Sequence, residues 1–316
     1  MTAAFFLSLI CVKAALPLLR RLKVGQPILE YVKEHEGKSG IPTMGGLCFV
    51  LPACILALVF ARGERQILYF SVAIGVAYLG VGFLDDFLKI RYKHNEGLKP
   101  YQKLLFQFAI AAICGVFCLK NGLDFLQIPF TGKRVEIGWW IVPVVVLIFL
   151  SATNCVNLTD GLDGLAGSVS LIYFLVIGLI IALQADEALN RAEWDNLSVL
   201  SFTVCGGICG FLCFNFHPAS VFMGDTGSMA LGGLVASVSV FSGNSLYIPI
   251  LGIMYVCSGI SVILQVASYK KRRKRVFLMA PFHHHLQMKG YSEEKIAVWY
   301  AAITLLAGSF LLISLL

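Results

Sequence analysis

Asn157-Leu158-Thr159-Asp160-Gly161-Leu162-Asp163-Gly164 lies between two apolar runs, residues 139–153 and 165–183, each of which reads as a membrane-spanning helix. Two carboxylates framed by glycines therefore stand where the chain leaves lipid. A charge at the bilayer centre costs ~2.5–3.5 kcal/mol even on the insertion scale, so such groups line water or mark function. The Asp-Gly repeats supply turn-prone backbone beside each acid. The stretch decides the fold class, because it only makes sense as a polar connection between two spans.

Composition agrees. Of 316 residues, 58% are hydrophobic and only 14% charged, whereas a soluble domain carries ~25% charged residues. No Pro/Ser-rich linker or polar block of domain size interrupts the chain, so residues 1–316 are expected to form a single polytopic membrane domain. The ten cysteines sit inside or at the edge of apolar runs, which excludes a disulfide framework and favours packing. Cys205, Cys209 and Cys213 share a helix face but lack ligand-type partners.

Ten apolar runs are candidate spans: 2–19, 43–61, 66–84, 103–120, 139–153, 165–183, 197–214, 226–241, 246–268 and 297–316. Pro249, Gly252 and Gly259 make the ninth a candidate for a broken helix. The charges near the first run follow it rather than precede it, so it is expected to be retained, with the N-terminus outside. On that topology 19 of the 25 Lys and Arg residues face the cytoplasm, leaving Arg62, Arg65, Lys120, Lys133, Arg134 and Arg191 outside. Both termini are then extracytoplasmic. A small outer β-hairpin is expected over 127–137, turning at Thr131-Gly132.

Every chemically suggestive segment falls on the basic side. Gly37-Lys38-Ser39-Gly40-Ile41-Pro42-Thr43-Met44-Gly45-Gly46 reads as a fixed turn presenting Lys38, or as interfacial anchoring by one lysine. Phe83-Leu84-Asp85-Asp86 sets two adjacent acids at a helix end. Their repulsion calls for a divalent cation with phosphates, or for pairing with Lys89 and Arg91 at a solvated surface. Lys99 and Lys103 open the next span as candidates for phosphate or lipid headgroups. Asn215 to Ser228 contains Phe222, an aromatic able to stack on a base, and Asp225, which reads as a cation ligand or as a simple N-cap. Lys270 to Arg275 suits anionic lipid, and three successive histidines follow, His283, His284 and His285. Acids for a cation, bases for phosphates and an aromatic for a base together suggest transfer of a phosphorylated group between nucleotide and lipid.

The segments Pro42–Gly46, Phe83–Asp86, Asn157–Ala166, Asn215–Ser228 and Ala280–Gln287, in that order along the chain, resemble the MraY family of phospho-N-acetylmuramoyl-pentapeptide transferases. That family lies within the polyprenyl-phosphate N-acetylhexosamine-1-phosphate transferases, and the triple histidine points to this branch. The chain departs from the family pattern at Ile41, Gln287 and Tyr291.

The resemblance implies an all-α enzyme of about ten spans in a bacterial inner membrane, with its active site on the cytoplasmic face. It implies transfer of phospho-MurNAc-pentapeptide from its UDP carrier to undecaprenyl phosphate, giving lipid I and UMP with Mg2+. Asp225 would ligate the metal beside Asp85 and Asp86, one of which would act as base or nucleophile. His284 and His285 would hold the diphosphate or orient the acceptor, and Lys103 would neutralise phosphate. Asn157 and Asp160 would line the sugar-nucleotide cleft, with His283 beside the substrate. Lys38, Asp163, Asn215 and Phe222 would form the uridine pocket. The partners are the two substrates and membrane lipid, with a homodimer admitted and no nucleic acid. Two competing readings are a sister transferase using UDP-GlcNAc and an ion-coupled transporter with intramembrane acids.

Overall fold

The computed structural model describes residues 1–21, 40–92, 97–187 and 190–315, so Lys38 lies outside the described residues. Thr2–Arg21 (α1), Leu47–Phe60 (α2), Gln66–Tyr92 (α3) and Pro100–Lys120 (α4) come first. A hairpin of Phe125–Gln127 (β1) and Arg134–Glu136 (β2) leads into Ile141–Thr159 (α5), Leu165–Gln184 (α6), Arg191–Asn215 (α7) and Gly224–Phe241 (α8). Ile248–Leu251 (α9), Ile253–Arg272 (α10), Phe282–Gln287 (α11) and Glu293–Ile313 (α12) complete the chain. Among the described residues, eight helices are long and apolar enough to cross a bilayer: α1, α3, α4, α5 with the turn before it, α6, α7, α10 and α12. The protein is a multi-pass membrane protein. The two remaining runs form the 14-residue α2 and the enclosed α8.

The body is wound around α8, where every residue except Asp225 is buried. Its small residues allow this. A Cβ on Gly232 would lie 2.5 Å from the Cα of Thr153, so α5 touches α8 backbone to backbone, and α3 packs along another face. Between helices in lipid, such close packing replaces the hydrophobic drive of water. Outer helices present apolar side chains to lipid, for example Phe6 and Ile10 of α1, or Leu105 and Ile113 of α4.

Several boundaries differ from the hydropathy reading, and those of the second, third and seventh runs have a clear physical reason. The second run starts late, at Leu47, because residues 42–46 pair instead with 221–223. Phe222 N–H donates to the Pro42 carbonyl at 2.8 Å, Gly45 N–H to the Phe222 carbonyl at 2.9 Å, and Gly46 N–H to the Met223 carbonyl at 3.1 Å. The third helix runs on to Tyr92, about two turns past the end of the apolar run at Leu84, so Asp85 and Asp86 are intrahelical and not at a frayed end. Asn190 caps α7, accepting from the Glu193 N–H at 3.4 Å, and so starts that helix six residues early. The ninth run breaks at Gly252, between α9 and α10, as its proline and glycines lead one to expect. The strands β1 and β2 pair antiparallel, Leu126 opposite Val135, as the Thr131-Gly132 turn predicts.

Candidate active site

The site is assembled at the N-terminus of α8. Four backbone N–H groups at a helix start lack intrahelical partners, and here the neighbouring helix α3 supplies the acceptor. Asp86 Oδ2 accepts from the Thr226 N–H at 2.9 Å and the Thr226 hydroxyl at 2.7 Å, while Oδ1 accepts from the Asp225 N–H at 3.3 Å. Asp86 thus caps α8 from α3, and Asp225 is not the cap. Its carboxylate is free to turn into the site.

There Asp225 Oδ2 meets Lys89 Nζ at 2.8 Å and Lys103 Nζ at 2.7 Å, and Oδ1 accepts from Asn157 Nδ2 at 2.7 Å. Asp85 Oδ2 pairs with the same two ammoniums, at 2.7 Å to Lys89 and 3.0 Å to Lys103, and Asp85 Oδ1 accepts from the Leu98 N–H at 2.8 Å. Four helices converge here: α3 brings Asp85, Asp86 and Lys89, α4 brings Lys103, α5 brings Asn157, and α8 brings Asp225. The three aspartates each place a carboxylate oxygen within 4.8 Å of the others, a group able to hold a metal. The donor set is all oxygen, which suits a hard divalent cation. Among the described residues, three carboxylates also face two ammoniums, so one further positive charge would balance the cluster.

A cavity of about 240 Å³ opens beside this cluster, lined by Thr43, Lys89, Asp160, Gly161, Asp163, Asn215, Phe222 and Asp225 among others. The carboxylate of Asp160, at the end of α5, has no hydrogen-bond or ion-pair partner among the described residues, while its N–H donates to the Asn157 carbonyl at 3.2 Å. Withdrawal from water, then the charges of Asp225, Asp86 and Asp163, hold its pKa well above the ordinary carboxylate range. A raised carboxyl binds its proton more tightly folded than unfolded. Its contribution to stability is therefore full below the unfolded value of 3.8 and is lost as pH rises through the folded value. Asp160→Asn is accordingly expected to melt higher than the parent at about pH 8 in chelator, and alike at about pH 4. Thermal melting of the detergent-extracted protein checks this, and identical curves at the higher pH would refute it.

Asp163 behaves differently from Asp160. Its Oδ2 accepts from the Ala219 N–H at 3.1 Å and lies 3.0 Å from His217 Nδ1, while its own N–H donates to Glu293 Oε2 at 3.1 Å. It ties the α5–α6 turn, the α7–α8 loop and the start of α12 together at the cavity wall. Asn215 Nδ2 donates to the Val221 carbonyl at 2.9 Å, closing the loop that presents Phe222, which is half-buried at the cavity. The histidines follow on α11. His283 is fully buried against Gly161, where a Cβ would collide with its Nε2, and neither ring nitrogen has a hydrogen bond among the described residues. Burial, then the neighbouring His284, push its pKa well below the usual imidazole value. The His284 ring lies 4.4 Å from it, with Nδ1 3.1 Å from Gln287 Oε1. His285 accepts the Leu278 N–H at 3.1 Å and stacks against Phe282.

Of the residues singled out in the sequence, Asp160, Asp163, Asn215, Phe222 and Asp225 line the cavity, and Asp85, Asp86, Lys103 and Asn157 contact Asp225 or its helix start. His283 packs on the cavity's Gly161, and His284 and His285 follow it on α11. Two residues were not singled out. Lys89, four residues from Asp85, reads in sequence as a solvated partner, yet it is mostly buried between three acids. Thr43 has a buried hydroxyl at the cavity wall without a hydrogen bond among the described residues, and only its place in the Pro42–Gly46 segment hinted at it.

Residues 67–243 match glycosyl transferase family 4, so the chain falls in that class of enzymes. It is 41% identical over 307 residues to the phospho-N-acetylmuramoyl-pentapeptide-transferase of Acetivibrio thermocellus, covering 96% of this chain and 90% of that protein. The enzyme of the same name from Caldanaerobacter subterraneus subsp. tengcongensis is 41% identical over 305 residues, 96% of this chain and 94% of the relative. That of Helicobacter acinonychis is 37% identical over 327 aligned positions, 99% and 91% of the two chains. The chain belongs to the phospho-N-acetylmuramoyl-pentapeptide-transferase family.

Proposed function

We propose that this protein works in a bacterial plasma membrane, transferring phospho-MurNAc-pentapeptide from UDP-MurNAc-pentapeptide to undecaprenyl phosphate and releasing UMP and lipid I. The observation that carries the reading is the convergence of Asp85, Lys89, Lys103, Asn157 and Asp225 beside a cavity that also holds Phe222 and Asn215. Charge neutralisation and base recognition thereby share one chamber at the end of the helices that carries the basic connections. A phosphate oxygen of the lipid attacks the sugar-side phosphorus of the nucleotide, a new P–O bond forms, and the bond to the UMP oxygen breaks. Little covalent chemistry is asked of the protein, so positioning and charge dominate.

Asp225 with Asp85 would hold Mg2+, which supplies charge neutralisation on the diphosphate when bound. Lys103 and Lys89 neutralise the phosphates, which compete with the carboxylates for the two ammoniums. Asp85 is the better placed of the adjacent pair to meet the reacting phosphate or receive its proton, because both Asp86 oxygens are spent on the start of α8. His284 and His285 stand for diphosphate or acceptor contacts, with His283 as the neutral wall beneath them. Asn157 and Asp160 face the sugar nucleotide, and Asp163 and Asn215 shape the uridine side together with Lys38.

Phe222 is assigned to stack on the uracil. Phe222→Ala is expected to weaken UMP or substrate binding about 10-fold while turnover at saturation changes less than threefold, since a base–aromatic stack contributes about 1–3 kcal/mol. Calorimetric titration with UMP checks it, and an unchanged affinity would sink the stacking assignment. The choice of sugar is tested by offering UDP-GlcNAc and UDP-MurNAc-pentapeptide in parallel. UMP released only from the second supports the reading, and equal release from both points to the sister activity.

A further inference from the structure

The helix carrying Lys103 has an unusual seat. Most of α4 faces lipid, with Leu104, Leu105, Phe106, Phe108, Ile113 and Val116 exposed. Its buried stripe is Gln107, Ala111, Cys114, Gly115 and Cys118, and it packs chiefly on α5. Four of those five residues are small and smooth. Such a stripe supports close approach but does little to specify how far one helix is displaced along the other, and lipid provides no hydrophobic force to do so. Gln107 is the exception. It is 2% exposed, and its Oε1 accepts from Asn154 Nδ2 of α5 at 2.7 Å. Asn154 Nδ2 also donates to the Leu150 carbonyl at 2.8 Å, which fixes the amide on its own helix. Tyr78 of α3 donates its hydroxyl to the Gln107 backbone carbonyl at 3.2 Å.

These three residues repeat, deeper in the membrane, the pattern of the site above them. Gln107 lies four residues past Lys103, Asn154 three before Asn157, and Tyr78 seven before Asp85. Spacings of three, four and seven put each pair on one helix face, separated by one or two turns. At the upper level Lys103 and Asn157 both reach Asp225, at 2.7 Å each. At the lower level Gln107 and Asn154 reach one another. A buried polar link between helices can fix their register, as a single buried Asn does in a coiled coil, and here a second link on the same faces adds to it.

We propose that Gln107 and Asn154 are positioning residues: their intramembrane hydrogen bond sets the register of α4 on α5 and so holds the Lys103 ammonium at Asp225. The proposal rests on the transferase reading, but parent turnover tests that reading, whereas ratios between variants test the tie. Gln107→Leu is expected to lower kcat about 10- to 100-fold, the scale of a misplacement near 1 Å, while the KM for the sugar nucleotide stays within about twofold. Gln107→Leu/Asn154→Leu removes both polar groups from the interface, so it should regain any melting temperature lost in the single variant without regaining kcat. In a Lys103→Met background, Gln107→Leu should cost less than about twofold more, because the residue it aims is gone. A folded Gln107→Leu with parental kcat, a double variant recovering kcat along with stability, or full additivity with Lys103→Met would each overturn the proposal.

Discussion

Asp225→Asn is expected to reduce UMP release by about 10³-fold or more while leaving expression, extraction and melting near those of the parent. The substitution keeps the side chain's shape and an oxygen for Asn157, but removes the charge that faces Lys89 and Lys103 at 2.8 and 2.7 Å. Two ammoniums are then left chiefly with Asp85, and the candidate cation site loses the carboxylate that is most open to the cavity. The fold should tolerate this, because the start of α8 is capped by Asp86. UMP affinity should change little, since Phe222 and Asn215 are untouched. Turnover within a few-fold of the parent would remove Asp225 from the metal site.

The second large effect is expected at a glycine with no chemistry of its own. A Cβ on Gly82 would run into the Asp225 carbonyl and lie 2.5 Å from its carbon and 2.7 Å from the Thr226 nitrogen. These are backbone atoms, so no rotamer change relieves the clash, and α3 must move away from α8. Overpacking of this kind costs about 1–3 kcal/mol. It also stretches the Asp86 bonds to Thr226 and parts Asp85 from Asp225, so turnover should fall about 100-fold. Gly80→Ala is the matched control, because a Cβ at Gly80 meets nothing within 4 Å. It should melt and turn over like the parent. If Gly82→Ala did the same, the close approach of α3 and α8 could not be what aligns the acids.

Much of this architecture is legible in the sequence because lipid imposes length and hydropathy on every span. The side bearing the site is legible too, since the basic connections and the acidic motifs coincide. What the residues do to one another is less visible. Asp85 and Asp86 are neighbours with identical side chains, and only the meeting of α3 with α8 makes one a cap and leaves the other facing two lysines. Asp160 and Asp163 look equivalent across a Gly-Leu step, yet the carboxylate of one has no partner among the described residues and that of the other is tied to Ala219 and His217. Lys89 could be taken for a solvated charge because nothing local reports its burial. Gln107 and Asn154 sit inside runs that hydropathy treats as uniform. In each case the deciding contact joins residues far apart in sequence, on helices whose register the hydrophobic pattern alone does not set.

The central claim is that the acids and lysines around Asp225 serve a metal-dependent transfer from sugar nucleotide to lipid phosphate. Purified protein in detergent, given UDP-MurNAc-pentapeptide, undecaprenyl phosphate and Mg2+, is expected to form UMP and lipid I in equal amounts. Release should stop when the lipid phosphate is omitted, stop again when Mg2+ is chelated, and be lost in Asp225→Asn. UMP formation that persisted in chelator, or that Asp225→Asn supported at the parental rate, would contradict the account.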